Sequence, residues 1–401
     1  MFYTGRQHWA QGFLPKKAWS PKGVKSVSSD RSDPADLPLD IEVRAYLEGD
    51  ETAIVPFLEN VMGWPATSTT VDHLEHWRWK FLGNPLGFHL VCVALNGDSV
   101  ISHSASMPVR MKVGDRTIIA SQGVDLCTDP AFRGAGLIGR TMKCRNGMKD
   151  HHNVELDFGF PNWASYNLSV TKQGFKDLGI VMLQHRYIID EEQFFKKVRF
   201  GSIKRLGYSS YQILRRSLGP RVDVGGGITL GQEGEMGSEF DELYLRASED
   251  FDVMIVRDSA YLNWRYCDPR SGDFIVRTAR HDGRLVGYMV MREESKDGSR
   301  FLNIVDCLAD PRSPDVIPLL LMDCITLAKG MLIETVLCCL PEGHPYGKQM
   351  TEVGFLSQVR YTGDHEMKVI ALERAGAGPL MASLTRKGLR AHIMLGDTDW
   401  V

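Results

Sequence analysis

Residues 124–139, VDLCTDPAFRGAGLIG, are the part of this chain best equipped for ligand chemistry. An apolar, strand-like run ends at Asp129-Pro130, then Arg133-Gly134-Ala135-Gly136 leads into a segment of helical pattern at 137–149. Glycines let the backbone take positive φ and approach a ligand closely. The first amides of a helix have no intrahelical acceptor, and the helix dipole adds positive potential beside them. An arginine and two glycines between strand and helix therefore make an anion cradle, and a pyrophosphate is its natural occupant.

Two commoner phosphate loops do not fit. A Walker loop needs Lys-Ser or Lys-Thr after its last glycine, where this chain has Leu137-Ile138. A dinucleotide fingerprint fits only with Gly139 as its third glycine, and no acidic residue stands clearly at the end of a following strand to read a ribose.

The D-P-x-x-R-G-x-G segment resembles the coenzyme A signature R/Q-x-x-G-x-G/A of the GNAT acyltransferase superfamily. Arg133, Gly136 and Ile138 fall on its three positions, Ile138 being a departure. Upstream, Ile41-Glu42-Val43-Arg44 and Glu48-Gly49-Asp50-Glu51 look like the first strand and helix of such a domain. Downstream, Phe160-Pro161-Asn162 through Gly174-Phe175 look like its fifth strand, fourth helix and closing Gly-Phe. The resemblance covers 38–190 and implies an acyl-CoA site. Residues 133–139 would take the pyrophosphate. The backbone of Leu126, Cys127 and Thr128 would pair with the pantetheine arm in a gap between two splayed parallel strands, with Asn162 nearby.

The elements that must position this site follow from periodicity. Strands are expected at 40–46, 89–96, 100–112, 117–128, 154–160 and 180–188, helices at 50–62, 71–82, 137–150 and 163–173. Strands 117–128 and 154–160 should run parallel through a right-handed crossover.

The pattern then repeats. Trp77-Arg78-Trp79 resembles Trp264-Arg265-Tyr266, VDLCTDP at 124–130 resembles VDCLADP at 305–311, and Gly354-Phe355 follows Asp306 at nearly the spacing of Gly174-Phe175 after Asp125. The second loop is Arg312-Ser313-Pro314-Asp315, with no glycine and an acid in place of the cradle. The expected fold is α/β (α+β): two tandem GNAT-like domains, each a mixed, mostly antiparallel sheet flanked by helices, the second degenerate. The expected division is an extended arm at 1–37, the acyl-CoA domain at 38–190, a basic amphipathic segment and glycine-rich linker at 191–235, the degenerate domain at 236–374 and a tail at 375–401. The tail has helical pattern at 379–393 and is expected to dock on the second domain. Phe2, Tyr3, Trp9, Phe13 and Trp19 give the arm a docking potential.

Acyl transfer to an amine needs a base, a held carbonyl and a way for the thiolate to leave. Asp125 is the first base candidate, or else a local structural carboxylate, since Asp306 holds its place in the degenerate repeat. Asp157 is the second, with Glu155 a weaker neighbour. Val170 stands where many GNAT enzymes have a tyrosine acid; Tyr166, one turn earlier, either supplies that proton or packs in the core. Cys127 is either an acyl-accepting nucleophile or a small core residue. Trp77 and Trp79 lie over the acceptor side and either stack on substrate or pack.

Composition fits a soluble, cytoplasmic enzyme. The net charge of −3 gives no general pull toward nucleic acid. The 8 cysteines form no CxxC pair or zinc spacing, so no metal is expected. No apolar run is long enough to span a membrane, and the N-terminal stretch lacks the apolar core of a signal peptide. The reading is an N-acyltransferase moving an acetyl group, or another acyl group from its coenzyme A thioester, to the amine of a small molecule such as an amino sugar or amino-acid derivative. A tRNA-dependent aminoacyl ligase of tandem-GNAT type and a non-catalytic acyl-CoA-binding subunit are the alternatives.

Overall fold

The computed structural model describes residues 41–65, 70–197, 201–218, 227–362 and 365–400. The arm at 1–37 and part of the glycine-rich linker lie outside the described residues. The first pass of the chain runs β1 (Ile41–Ala45), α1 (Glu51–Met62), α2 (His73–Phe81), β2 (Leu90–Asn96), β3 (Ser99–Val113), β4 (Arg116–Thr128), α3 (Leu137–His151), β5 (Leu156–Gly159), α4 (Trp163–Lys172), β6 (Lys176–Asp177) and β7 (Met182–Ile188). Next come α5 (Glu191–Lys196), α6 (Gly201–Leu218), β8 (Ile228–Glu233), α7 (Glu239–Ser248), β9 (Val253–Ile255) and α8 (Ser259–Leu262). The second pass continues with β10 (Ile275–His281), β11 (Arg284–Lys296), β12 (Ser299–Ala309), α9 (Val316–Gly330), β13 (Thr335–Pro341), α10 (Pro345–Val353) and β14 (Leu356–Val359). A short hairpin, β15 (Tyr361–Thr362) and β16 (His365–Glu366), then precedes β17 (Ile370–Glu373), α11 (Leu380–Leu384) and β18 (Ala391–His392).

Local chemistry explains the helix starts and stops. Asp72 caps α2 by accepting from Glu75 N–H at 3.1 Å. Asn162 caps α4 by accepting from Ser165 N–H at 2.9 Å. Gly63, at φ 68°, closes α1 as a left-handed residue.

Contacts divide the described chain into two compact units. The first unit contains residues 41–180 and 368–400 with Glu233–Phe274; the second contains Val181–Gln232 and Ile275–Met367. The first unit's sheet has the order β1-β2-β3-β4-β5-β17-β6, with β9 on β3 and β18 on β9. The second unit's sheet has the order β14-β7-β13-β12-β11-β10-β8. Along each of these orders one parallel pair interrupts antiparallel neighbours, β4 with β5 and β12 with β13, and off the first path β18 also runs parallel to β9. The two orders correspond strand for strand, as the repeat in the sequence predicts.

Two expectations need correction. The strand expected at 180–188 in the first domain does form, but β7 pairs with β13 (Ile188↔Thr335 through Met182↔Pro341) in the second unit. Its counterpart β17 pairs with β5 in the first (Ile370↔Gly159 through Glu373↔Leu156). A strand's alternation settles which way its side chains face; it does not settle which edge accepts the backbone. The tail also differs. Only Leu380–Leu384 of the helix expected at 379–393 forms. Gly388 takes positive φ, and Ala391 and His392 pair in parallel with Val253 and Met254. The tail thus docks on the first unit, not the second. Among the described residues no helix is long and apolar enough to cross a membrane.

Candidate active site

The cradle forms where β4 ends. Asp129 Oδ1 accepts from Ala131 N–H at 2.8 Å, turning the chain at Pro130. Phe132, Ala135 and Leu137 pack with Ala94 and Ile101, which fixes the loop to the sheet. The residues between them, Arg133, Gly134 and Gly136, are exposed. Gly134 and Gly136 have φ of 93° and 73°. A Cβ at either would meet nothing within 4 Å, so backbone conformation and not crowding requires glycine there.

The loop's donors can be followed one by one. Phe132 N–H reaches Asp129 O and Ala135 N–H reaches Phe132 O; Arg140 N–H to Gly136 O, at 3.2 Å, is the first bond of α3. The amides of Gly134, Gly136, Leu137, Ile138 and Gly139 have no acceptor among the described residues. Arg133 likewise makes no ion pair there. Five free N–H groups and a guanidinium at a helix start fit a pyrophosphate. The equivalent loop of the second unit is spent internally: Asp310 accepts from Arg312 N–H and Ser313 N–H, Ser313 O accepts from Val316 N–H, and Pro314 has no donor.

Beside the cradle lies a strand edge. The β4–β5 ladder covers Ala120↔Leu156, Ser121↔Asp157 and Gln122↔Phe158 and then stops. β4 continues to Thr128, held on its other side by β3 through His103↔Cys127 and Ser102↔Thr128. Leu126, Cys127 and Thr128 therefore border a gap toward β5. Asn162 is exposed at the start of α4, its Oδ1 used as the helix cap. Helix α4 has no buried residue, and Trp163 is half exposed, stacked on Tyr166.

The acceptor side is organised around Asp125, which sits at φ 48° in an irregular stretch of β4. Its Oδ2 accepts from Lys80 Nζ at 2.8 Å and Trp64 Nε1 at 3.1 Å, and it is 7% exposed. Lys80 also lies 3.7 Å from Asp399, whose side chain is 19% exposed. Burial, and then the Asp125 charge, push the Asp399 carboxyl above its ordinary range, while Lys80 opposes them. The tail is pinned here by two buried arginines. Arg257 Nη2 donates to both carboxylate oxygens of Asp397 at 2.8 Å. Arg265 donates to Gly396 O at 3.1 Å and Thr398 O at 2.5 Å. Gln122, the last β4 residue paired with β5, accepts from Asp399 N–H at 3.3 Å and donates to Asp397 O at 3.1 Å. Asp399 thus stands at the root of the gap.

The other candidates fall elsewhere. Asp157 Oδ1 accepts from Ser121 Oγ at 2.5 Å and Lys149 Nζ at 2.6 Å, and Oδ2 from Arg374 Nη1 at 3.1 Å. Burial pushes this carboxyl up, but Lys149, Ser121 and Arg374 together hold it below its ordinary range, which makes it a weak base. Glu155 pairs with Arg116 at 2.5 Å. Tyr166 donates to Asp177 Oδ2 at 3.0 Å, and burial and that carboxylate raise its pKa. The Cys127 thiol is buried and pushed up to about 12, so it is a neutral thiol near pH 7. Trp77 and Trp79, expected to stack on substrate, are 0% and 1% exposed. Trp77 packs on Tyr46 and Phe81, and Trp79 on Trp264, so both rings belong to the core.

Sequence reasoning missed Lys80, Asp399, Arg257 and Arg265. Lys80 had one signal, a lone lysine between Trp79 and Phe81 on an apolar helix face. Asp399 had none, because its partners are hundreds of residues away in sequence.

The family model described as an acetyltransferase (GNAT) domain matches residues 42–169. Several solved structures are similar to this chain. A conserved protein from Enterococcus faecalis, described as a probable N-acyltransferase, is 13% identical with TM-score 0.59, covering 83% of this chain and 73% of that one. A GCN5-related N-acetyltransferase from Anabaena variabilis is 11% identical with TM-score 0.56, over 83% and 72%. Saccharomyces cerevisiae N-myristoyltransferase, solved with bound myristoyl-CoA, is 10% identical with TM-score 0.52, over 92% and 93%. At such identities the likeness is one of fold. A search of curated protein sequences finds no match.

Proposed function

We propose, from the match of residues 42–169 to the acetyltransferase (GNAT) domain model, that the protein is an acyl-CoA-dependent N-acyltransferase acting on a small-molecule amine, such as an amino sugar or amino-acid derivative. The observation that carries this reading is the set of free amides at Gly134, Gly136, Leu137, Ile138 and Gly139, placed where β4 runs on beyond its ladder with β5. A pyrophosphate on those amides, with Arg133 beside it, directs a pantetheine arm along Leu126–Cys127–Thr128 toward Asp125 and Asp399.

Transfer forms a C–N bond between the amine and the thioester carbonyl and breaks the C–S bond. The amine must first lose a proton. Asp399 is the carboxylate best suited to take it, because it is partly exposed, raised in pKa and at the root of the gap. Asp125 is occupied by Lys80 and Trp64 and so positions Lys80 against Asp399. Tyr166 is tied to Asp177, and the thiolate leaves without needing that phenol. Acetyl-CoA is the first donor to test, followed by longer acyl thioesters. The test is calorimetric titration of the full chain with coenzyme A, then acetyl transfer to a panel of amines. Absence of coenzyme A binding overturns the proposal.

A further inference from the structure

A second cluster of charge lies in the second unit. The sheet register places Arg186 of β7 level with Leu337 of β13, Leu337 with Asn303 of β12, and Asn303 with Arg292 of β11. Side chains alternate across a strand, so residues joined in one such row share a face. Arg360, whose N–H bonds Met182 O, falls on the same face at the end of β14, and Glu294 lies two residues beyond Arg292. The face therefore carries Arg186, Arg292 and Arg360 against one carboxylate, Glu294.

Arg292 and Asn303 are buried, each 5% exposed, and Arg186, Glu294 and Arg360 are half-buried. The Nε groups of Arg186 and Arg360 are buried without a hydrogen-bond partner among the described residues. Burial and then the Arg360 charge bring Arg186 down to about 10, so the two guanidiniums feel each other. Glu334 does not compensate them fully, since it is bonded to Lys197 Nζ at 2.6 Å. The Arg186 guanidinium lies over the Phe194 ring, 5.3 Å from its centroid, and Glu294 offsets part of the charge of Arg292 and Arg360. Three guanidiniums on this face still exceed its one carboxylate, and guanidinium N–H forks match planar or tetrahedral oxyanions.

We infer that this face of the second unit is a binding site for a small oxyanion, a phosphate or polycarboxylate, held by Arg186, Arg360 and Arg292 with Asn303 beside them. The site is built from residues of the other unit than the acyl-CoA cradle and does not depend on the acyltransferase reading. It also gives the degenerate repeat a role: the repeat lacks the loop that cradles pyrophosphate yet keeps a cationic face.

The test uses the full chain carrying Gly136→Asp, which removes the first anion cradle. Inorganic phosphate and citrate are titrated while thermal unfolding is followed, against sodium chloride at matched ionic strength. The expected result is a saturable rise in melting temperature with phosphate or citrate, beyond the chloride control. Arg186→Met and Arg360→Met should each lose that rise. If either methionine variant fails to fold, Arg360→Lys serves in its place: it keeps the charge, loses the fork and should show a smaller anion effect. No rise beyond chloride in the parent, or an undiminished rise in the arginine variants, overturns the inference. Coenzyme A affinity, measured with Gly136 intact, should be unchanged in Arg360→Met.

Discussion

Trp79 and Trp264 bond each other reciprocally: Trp79 Nε1 donates to Trp264 O at 2.6 Å, and Trp264 Nε1 donates to Trp79 O at 3.0 Å. The rings stack with centroids 5.3 Å apart. These are matched landmarks of the internal repeat, and within the first unit each satisfies the other's carbonyl. Trp79→Phe removes one donor and strands a buried carbonyl, which should cost about 2–4 kcal/mol. Trp264→Phe should cost a similar amount, and the double variant less than the sum, because the two share one interaction. Denaturant unfolding measures all three; strict additivity would mean the pair does not act as a unit.

Asp399→Asn tests the base. The variant should lose about 10²–10⁴ in kcat, within the usual range for a positioned acid or base, and keep its KM for the acyl thioester. The wild-type rate should rise with pH as the carboxyl loses its proton, and because its pKa is raised that limb should lie above the ordinary carboxylate range. The acidic limb should be absent from Asp399→Asn. A limb that persists there assigns it to another group.

Cys127→Ala should keep most activity, since a thiol at about 12 is a poor nucleophile at neutral pH. Initial-rate plots for the two substrates should intersect. Parallel plots with an acyl group trapped on Cys127 would establish a covalent route instead.

Much of the fold was legible, for a physical reason. Strand alternation and helical periodicity are local, so β1–β5 and α1–α4 appear within a few residues of their expected places. The anion loop was legible because glycine conformation and helix-start amides are also local. What escaped depends on distant partners. The edge chosen by β7, the tail that brings Asp399 to Lys80, and the arginines that pin it involve no sequence neighbour. Trp77 and Trp79 were ambiguous because an aromatic stripe looks the same whether it faces a ligand or another tryptophan.

The Asp157 network predicts an acid sensitivity. The folded carboxyl is held below its unfolded value by Lys149, Ser121 and Arg374 against the effect of burial. Its contribution is therefore present above the unfolded pKa of about 4 and is lost as pH falls through the lower folded value. Asp157→Ala should lose about 3–5 kcal/mol at neutral pH, leaving Lys149 and Arg374 without their shared carboxylate. Its stability should also fall less steeply below pH of about 4 than that of the wild type. Parallel pH–stability curves for the two proteins would contradict this.

The number of coenzyme A molecules per chain tests the central claim most directly. The first loop presents free amides at Gly134, Gly136, Leu137, Ile138 and Gly139, while the second spends its donors on Asp310 and Ser313 and includes Pro314. Calorimetric titration of the intact protein should give a single site. Arg133→Ala should weaken it by about 1.5–3 kcal/mol, as expected for one charge-assisted bond, and Gly136→Asp should abolish it. Two equivalent sites per chain, or a single site indifferent to both substitutions, would contradict the account.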